Sequence, residues 1–354
     1  MLLSQPGIDE TRARLGSLIM GSSSEHLQVF DHWPSELNEI GHRELAKHLG
    51  GPSLFYIQGE KDPPLVISTL LHGNEETGFY ALQNIMPANQ GRPPRSLVVI
   101  LGNLDAAAAG LRHMPDGPDF NRIWDSSHPF ATAVKQELRG RDLFGVIDIH
   151  NNTGRNPFYA CVSRNRPEFL HLGLLFSRTL VYFEQPASTF SVSMSDHAPT
   201  IVVECGRSSQ AGSVEHATEF LESAMRLDHL PGTPPSPHDY SLYTMQAALK
   251  IPAGCSVDIA DADADFCFRE DLDQLNFLPS DEPRFIGRRR RDDLELVTVN
   301  TFDTQIEIEG IYYEGDQMFL APGWTPSMFT LDLSVMVSDS LGYLMRETSA
   351  DALH

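Results

Sequence analysis

Leu65-Val66-Ile67-Ser68-Thr69-Leu70-Leu71-His72-Gly73-Asn74-Glu75-Glu76-Thr77-Gly78 is the stretch on which the reading of the fold depends. Its first half is a run of apolar and β-branched residues, the pattern of a buried strand. The sequel, Phe79-Tyr80-Ala81-Leu82-Gln83-Asn84-Ile85-Met86, has a helix-like pattern that should end before Pro87. His72 and Glu75 therefore fall on a short turn leaving the carboxyl end of a strand, where open α/β sheets place their ligands. Gly73 allows that turn to be tight. A His and a Glu three residues apart on such a turn can point at one ion. Zinc accepts imidazole nitrogen and carboxylate oxygen, and a catalytic zinc takes three protein ligands and one water. His-x-x-Glu occurs by chance in any long chain, so the case rests on what the other strands bring.

Working outward, Ser53–Ile57 precedes this strand, and Leu97–Leu101 and Leu143–Ile149 follow it as further apolar runs, the last one ending in His150. Thr200–Val203 is another, ending in Glu204-Cys205-Gly206. Helix-like sequence lies between them at about 75–87, 130–138, 167–180 and 213–227. Alternating strands and helices predict an α/β fold: a mostly parallel, mixed sheet with helices on its flanks. Pro231-Gly232-Thr233-Pro234-Pro235-Ser236-Pro237 is a stiff break. It predicts two domains, an α/β domain over 1–230 and a small antiparallel β domain over 238–354. Gln305–Glu309 and Leu331–Val337 are expected among the strands of the second domain.

The 354 residues, 41% of them hydrophobic, are enough to bury a sizeable core. The formal net charge of −22 argues against nucleic acid or an anionic membrane as the main partner. No run approaches the length of a membrane span, and the first residues lack the pattern of a signal peptide. Cys161, Cys205, Cys255 and Cys267 are scattered, with no Cys-x-x-Cys pair, and read as reduced thiols of a cytoplasmic protein. Arg288-Arg289-Arg290-Arg291 precedes Asp292-Asp293 and reads as a solvated loop neutralised by its neighbours. Asp261-Ala262-Asp263-Ala264-Asp265 begins like a calcium loop, but Phe266 stands where such a loop needs glycine.

The strand ends carry the chemistry. His72 and Glu75 follow one, His150 ends another and Glu204 a third; Arg112 and Asp119-Phe120-Asn121-Arg122 lie between. A parallel sheet brings such ends to one edge. Two histidines and a glutamate suit zinc with an open position. A further carboxylate, Glu204, can take a proton from water and return it to a leaving amine. Arginines can polarise a carbonyl or clamp a carboxylate.

In their order, His72-Gly73-Asn74-Glu75, Asp119-Phe120-Asn121-Arg122, Asp148-Ile149-His150 and Glu204-Cys205-Gly206 resemble the motifs of the zinc-dependent succinylglutamate desuccinylases and aspartoacylases, a branch of the zinc carboxypeptidase clan. The resemblance covers roughly residues 50–225. It implies one zinc per chain held by His72, Glu75 and His150, with Glu204 as general base and then acid. It also implies that Arg112 polarises the scissile carbonyl and that Asn121 and Arg122 hold a substrate carboxylate. Tyr312, in Ile311-Tyr312-Tyr313-Glu314, resembles the tyrosine on the strand that closes the aspartoacylase pocket.

Two departures bear on the substrate. The spacer from Arg112 to Asn121 is long and contains Pro115 and Pro118. Met194 stands near the position where aspartoacylases carry an arginine for the substrate's side-chain carboxylate; Arg155 and Arg207 are the candidates to replace it. The expected function is hydrolysis of the amide of a small N-acyl amino acid. The alternative is a zinc carboxypeptidase that releases a C-terminal residue from a peptide. A non-catalytic metal-binding protein is a third reading, disfavoured because ligands and base are all in place. A homo-oligomer is left open.

Overall fold

The computed structural model describes residues 26–89, 91–259, 263–300 and 304–353. Among them the strands are, in chain order, β1 (Gln28–Phe30), β2 (Ser53–Ile57), β3 (Leu65–Thr69), β4 (Leu97–Leu101), β5 (Gly145–Asn152), β6 (Tyr159–Val162), β7 (Thr179–Tyr182), β8 (Thr200–Arg207) and β9 (Ser241–Lys250), then β10 (Val257–Asp258), β11 (Phe266–Phe268), β12 (Arg284–Arg289), β13 (Val297–Val299), β14 (Ile311–Glu314), β15 (Gln317–Leu320), β16 (Thr325–Ser327) and β17 (Gly342–Thr348). Twelve of these described strands form one sheet in the order β1-β2-β4-β3-β5-β8-β6-β7-β9-β17-β16, with β13 on β9. The other five form a second sheet, β10-β11-β12-β15-β14. The centre of the large sheet is parallel: β3 pairs this way with β4 and β5, and β5 with β8. Antiparallel pairs, β2 with β4 and β6 with β8, flank that centre. The mixed α/β sheet expected from the sequence is present, and so is a separate sheet in the C-terminal part.

The side-chain alternation of β5 shows how sequence sets the layers. Ile147 and Ile149 face a core that contains residues of the helices Thr77–Ala88, Pro167–Phe176 and Ser213–Arg226. Val146, on the other face, belongs to a second core with Trp124, Phe130 and Phe190. Period-two alternation puts Asp148 and His150 on this second face, further along the strand. The same rule splits β8: Ile201 and Val203 join the first core, and Glu204 shares a face with Val202. The functional residues thus continue an apolar face toward the carboxyl edge of the sheet.

Several expectations need correction. The helix over 77–88 runs through Pro87, because a proline in the last turn costs only one bond and Asn89 N still donates to Ile85 O at 3.2 Å. The helix expected at 167–180 stops at Phe176, and Thr179–Tyr182 instead pairs with β6 as β7. Leu331–Val337 is not a strand: Leu333–Ser338 is a helix, since the Asp332 side chain accepts from Ser334 N and Val335 N at its start. Gln305–Glu309 contributes only an isolated bridge, Gln305 with Val299. Arg288 and Arg289 of the arginine run end a strand, while Arg290 and Arg291 follow it and, like Arg288, pair with aspartates. Arg289 is buried over the Tyr313 ring and donates to Gly315 O, while Arg288 and Arg290 pair with Asp316 and Asp265. Asp261 and Ala262 of the aspartate repeat lie outside the described residues, as does the segment 1–25.

The chain after the prolines divides between the sheets. β9 adds to β7 in parallel and is in turn paired by β17 and β13, both antiparallel. C-terminal sequence therefore completes one end of the sheet that carries the candidate site. No described helix is long and apolar enough to cross a membrane.

Candidate functional site

β3 ends at Thr69, and Leu70, at φ 57°, turns the chain toward the helix at Thr77. His72 and Glu75 lie on this link. A Cβ on Gly73 would sit 2.1 Å from Ala107 N, so glycine is required there for close approach to the helix Leu104–Ala109 and not for a positive φ. On the neighbouring strand, β5 continues two residues past His150.

His72, Glu75 and His150 are buried, and one ligand atom of each lies within 4.8 Å of the others. His72 Nδ1 is 2.8 Å from Glu75 Oε1, and His150 Nδ1 is 2.7 Å from Glu75 Oε2. Each ring turns its other nitrogen to an aspartate: His72 Nε2 is 3.0 Å from Asp119 Oδ1, and His150 Nε2 is 2.8 Å from Asp148 Oδ2. Metal-ligating histidines are commonly oriented by such a carboxylate on the far nitrogen. Burial opposes the Glu75 charge, but His72 and His150 outweigh it and hold the carboxyl far below its usual range. Two imidazoles oriented from behind and one ionised carboxylate between them form a donor set that fits zinc.

Glu204 stands beside His150 in register across β5 and β8, and Tyr159 of β6 stands on its other side. Burial pushes the Glu204 carboxyl up to about 7, against the pull of His150 and with a further push from Glu75. A chain of amides supports it. Met328 N donates to Asn156 Oδ1 at 2.9 Å, Asn156 Nδ2 to Asn152 Oδ1 at 3.1 Å, and Asn152 Nδ2 to Glu204 Oε2 at 3.4 Å.

Despite Pro115 and Pro118, Arg112 reaches the site. Its Nε and Nη2 donate to Asp119 Oδ2 at 3.2 and 3.1 Å, and its Nη1 is 3.9 Å from Glu75 Oε1. Asp119 thereby joins the arginine to His72. Asn121 Oδ1 accepts from Phe190 N at 3.0 Å, and Arg122 Nη1 donates to Asn121 O at 2.9 Å. His72, Glu75, Arg112, Asn121, Arg122, His150, Asn152, Tyr159 and Glu204 line one cavity of about 620 Å³, which also has Val335, Asp339 and Tyr343 in its wall.

Tyr312 is the residue that the structure places elsewhere. It lies on β14 of the second sheet, opposite Phe319 in register, and their rings stack at 5.3 Å. It is not part of the cavity wall. The tyrosine that does reach the cavity is Tyr343, opposite Ala248 in the β9–β17 pair. Arg155 and Arg207 are absent from the wall as well, and Met194 is buried in the core with Trp124. Sequence reading passed over Tyr343 and the orienting aspartates. Asp148 had one available signal, its i−2 spacing from His150 on a strand, which puts both on one face.

Sheet, oriented donor cluster and adjacent buried carboxylate define an α/β protein with a candidate metal site at the carboxyl edge of its sheet. Residues 61–220 match the model of the Succinylglutamate desuccinylase/Aspartoacylase catalytic domain. A sequence comparison with curated proteins gives no match. Among solved structures, succinylglutamate desuccinylase from Vibrio parahaemolyticus is 15% identical with a TM-score of 0.54, over 83% of this chain and 86% of that one. Murine aminoacylase 3 is 19% identical with a TM-score of 0.52, over 82% and 97%. The succinylglutamate desuccinylase/aspartoacylase from Rhodobacter sphaeroides is 14% identical with a TM-score of 0.54, over 83% and 88%. At these identities the likeness is one of fold.

Proposed function

We propose that the protein is a zinc-dependent hydrolase of the amide bond in small N-acyl amino acids. The observation that carries this reading is the placement of buried Glu204 in register beside His150, next to the His72–Glu75–His150 cluster. His72, Glu75 and His150 would hold one zinc per chain. When bound there, zinc supplies Lewis-acid polarisation and makes a nearby water more acidic.

The protein's own groups account for the rest. Glu204, held by Asn152, takes a proton from the attacking water and delivers it to the leaving amine, a role suited to a carboxyl raised toward neutrality. Arg112 turns Nη1 toward the Glu75 side, where it can polarise the scissile carbonyl. Asn121 and Arg122 receive the substrate carboxylate, for which a guanidinium offers two parallel hydrogen bonds. A cavity of about 620 Å³, walled partly by Val335, Asp339 and Tyr343 from the C-terminal part, suits a small substrate better than a peptide chain.

The test is a zinc-loaded assay of acetyl and succinyl amino acids beside tetrapeptides and longer chains. Hydrolysis of the acyl amino acids is expected to dominate. Faster release of C-terminal residues from the longer peptides would replace this reading with the carboxypeptidase alternative.

A further inference from the structure

The cavity has two unlike halves. Beside the donor cluster its wall is charged, with Arg112 3.9 Å from Glu75 Oε1 and 3.7 Å from Asp339 Oδ2, and with Arg122 on the same cavity. Behind Glu204 an apolar cluster lines the cavity with Cys161, Phe183, Val202, Met245 and Met328, and Ala248 and Lys250 of β9 bound that cluster. Strand register produces this second half. Cys161 stands beside Val202, one row behind the Tyr159–Glu204 pair and on the same face of the sheet. β9 continues the wall through Met245 and Ala248. Val202 and Cys161 are each 7% exposed, and that remainder opens on the cavity.

This half is poorly suited to a second carboxylate. Arg155 and Arg207 stand outside the wall, and Met194 occupies the core. Arg112 is committed to Asp119 by two hydrogen bonds, with Asp339 Oδ2 a further 3.7 Å from its Nη2. Lys250, two residues past Ala248 on β9, is the lining lysine on that side, and the experiment addresses it directly. A carboxylate set against Val202, Met245 and Met328 would lose its hydration without gaining a donor from them, whereas an apolar group gains by leaving water there.

We infer that this half of the cavity receives a bulky apolar group, so that the substrate is an N-acyl amino acid with one carboxylate and one apolar arm rather than two carboxylates. The inference rests on the deacylase reading above and names its substrate class. The apolar arm is either the amino-acid side chain or the acyl chain, and a two-way panel separates them.

The panel measures kcat/KM of the zinc-loaded protein for acetyl derivatives of Phe, Leu, Ala, Asp and Glu, and for hexanoyl, benzoyl, acetyl and succinyl alanine. Members with the apolar arm should exceed their acidic counterparts by at least about tenfold, since even one methylene in an apolar pocket is worth roughly that much. Ala248→Phe should cut the bulky members at least about tenfold more than acetyl-alanine, and Met245→Arg should move the ratio toward the acidic members by a similar factor. Zinc content and melting temperature of both variants check that the fold survives. Preference for the acidic members, lost in Lys250→Met, overturns the inference and leaves the deacylase reading standing. Unchanged ratios in both Ala248→Phe and Met245→Arg also overturn it. If nothing in the panel is hydrolysed, the deacylase reading falls, and calorimetric binding of the same compounds decides the rest. Tighter binding of the apolar members upholds the apolar half; equal or absent binding overturns it.

Discussion

At the scale of single residues, His72, Glu75 and His150 differ in what they ask of their surroundings. The carboxylate needs two positive or donating neighbours, and the histidines each need an acceptor behind the ring. His150→Ala removes one candidate ligand outright, and metal analysis of the purified variant should find it essentially without zinc. Asp148→Asn leaves every candidate ligand in place but replaces the ionised acceptor 2.8 Å from His150 Nε2 with a neutral amide. Losing such an orienting partner should weaken zinc affinity by about 10- to 100-fold, read by competition with a chelator. Glu204→Gln is expected to behave oppositely to both. It should keep zinc at wild-type occupancy and lose turnover by about a hundredfold or more, the usual size of a lost general base. A near-normal rate would remove Glu204 from the chemistry.

These residues were readable in sequence because each lies on or beside the end of an apolar strand, and a strand end is a local signal. Apart from Asp148, which is two residues from His150, the groups that sequence did not yield depend on pairing over long separations. Asp119 is 47 residues from the histidine it orients. Tyr312 and Tyr343 both occupy short strands near the C-terminus, and nothing local says which strand joins which sheet. β17 pairs with β9 and carries Tyr343 to the cavity; β14 pairs with β15 and takes Tyr312 away.

At the scale of elements, the link between β3 and the helix at Thr77 is the most constrained piece of the site. It carries two of the three candidate ligands past the helix Leu104–Ala109. A methyl group at position 73 would overlap that helix's backbone, which cannot yield as a side-chain tip can. Gly73→Ala should therefore both lower the melting temperature and reduce zinc occupancy, although the side chain added is apolar and touches no ligand. Retention of full zinc occupancy would show that the link is more compliant than its packing indicates. The helix Leu333–Ser338 teaches the complementary lesson. Its apolar residues have the composition of a strand, and the signal that decides for a helix is the Asp332 cap that starts it. Strands β6 and β7 went unread for a related reason: each is only four residues long, too short for a period to declare itself.

At the scale of the whole molecule, the parallel centre of the sheet was legible and its C-terminal extension was not. The stiff run Pro231–Pro237 is a compositional break, yet the next strand returns to the same sheet. A chain ending at residue 230 would keep every candidate ligand and Glu204. It would lose β9 from the edge of β7 and Met328 from the amide chain that supports Glu204. An uncovered apolar strand edge invites pairing with other chains. Such a fragment should aggregate on expression, measured by size-exclusion chromatography, instead of forming a smaller active domain. A monodisperse fragment that binds zinc would contradict this.

The position of β9 also fixes an order of events during synthesis. β7 leaves the ribosome well before its neighbour β9, and β17, which covers β9, comes later still. At about 5–20 residues per second, the edge of β7 stays open for several seconds while the proline-rich stretch and β9 are made. A stiff stretch directly before β9 would hold the oncoming strand extended while that edge is being closed. Slow codons placed after β7 would lengthen the exposure, and the yield of soluble protein would register the delay.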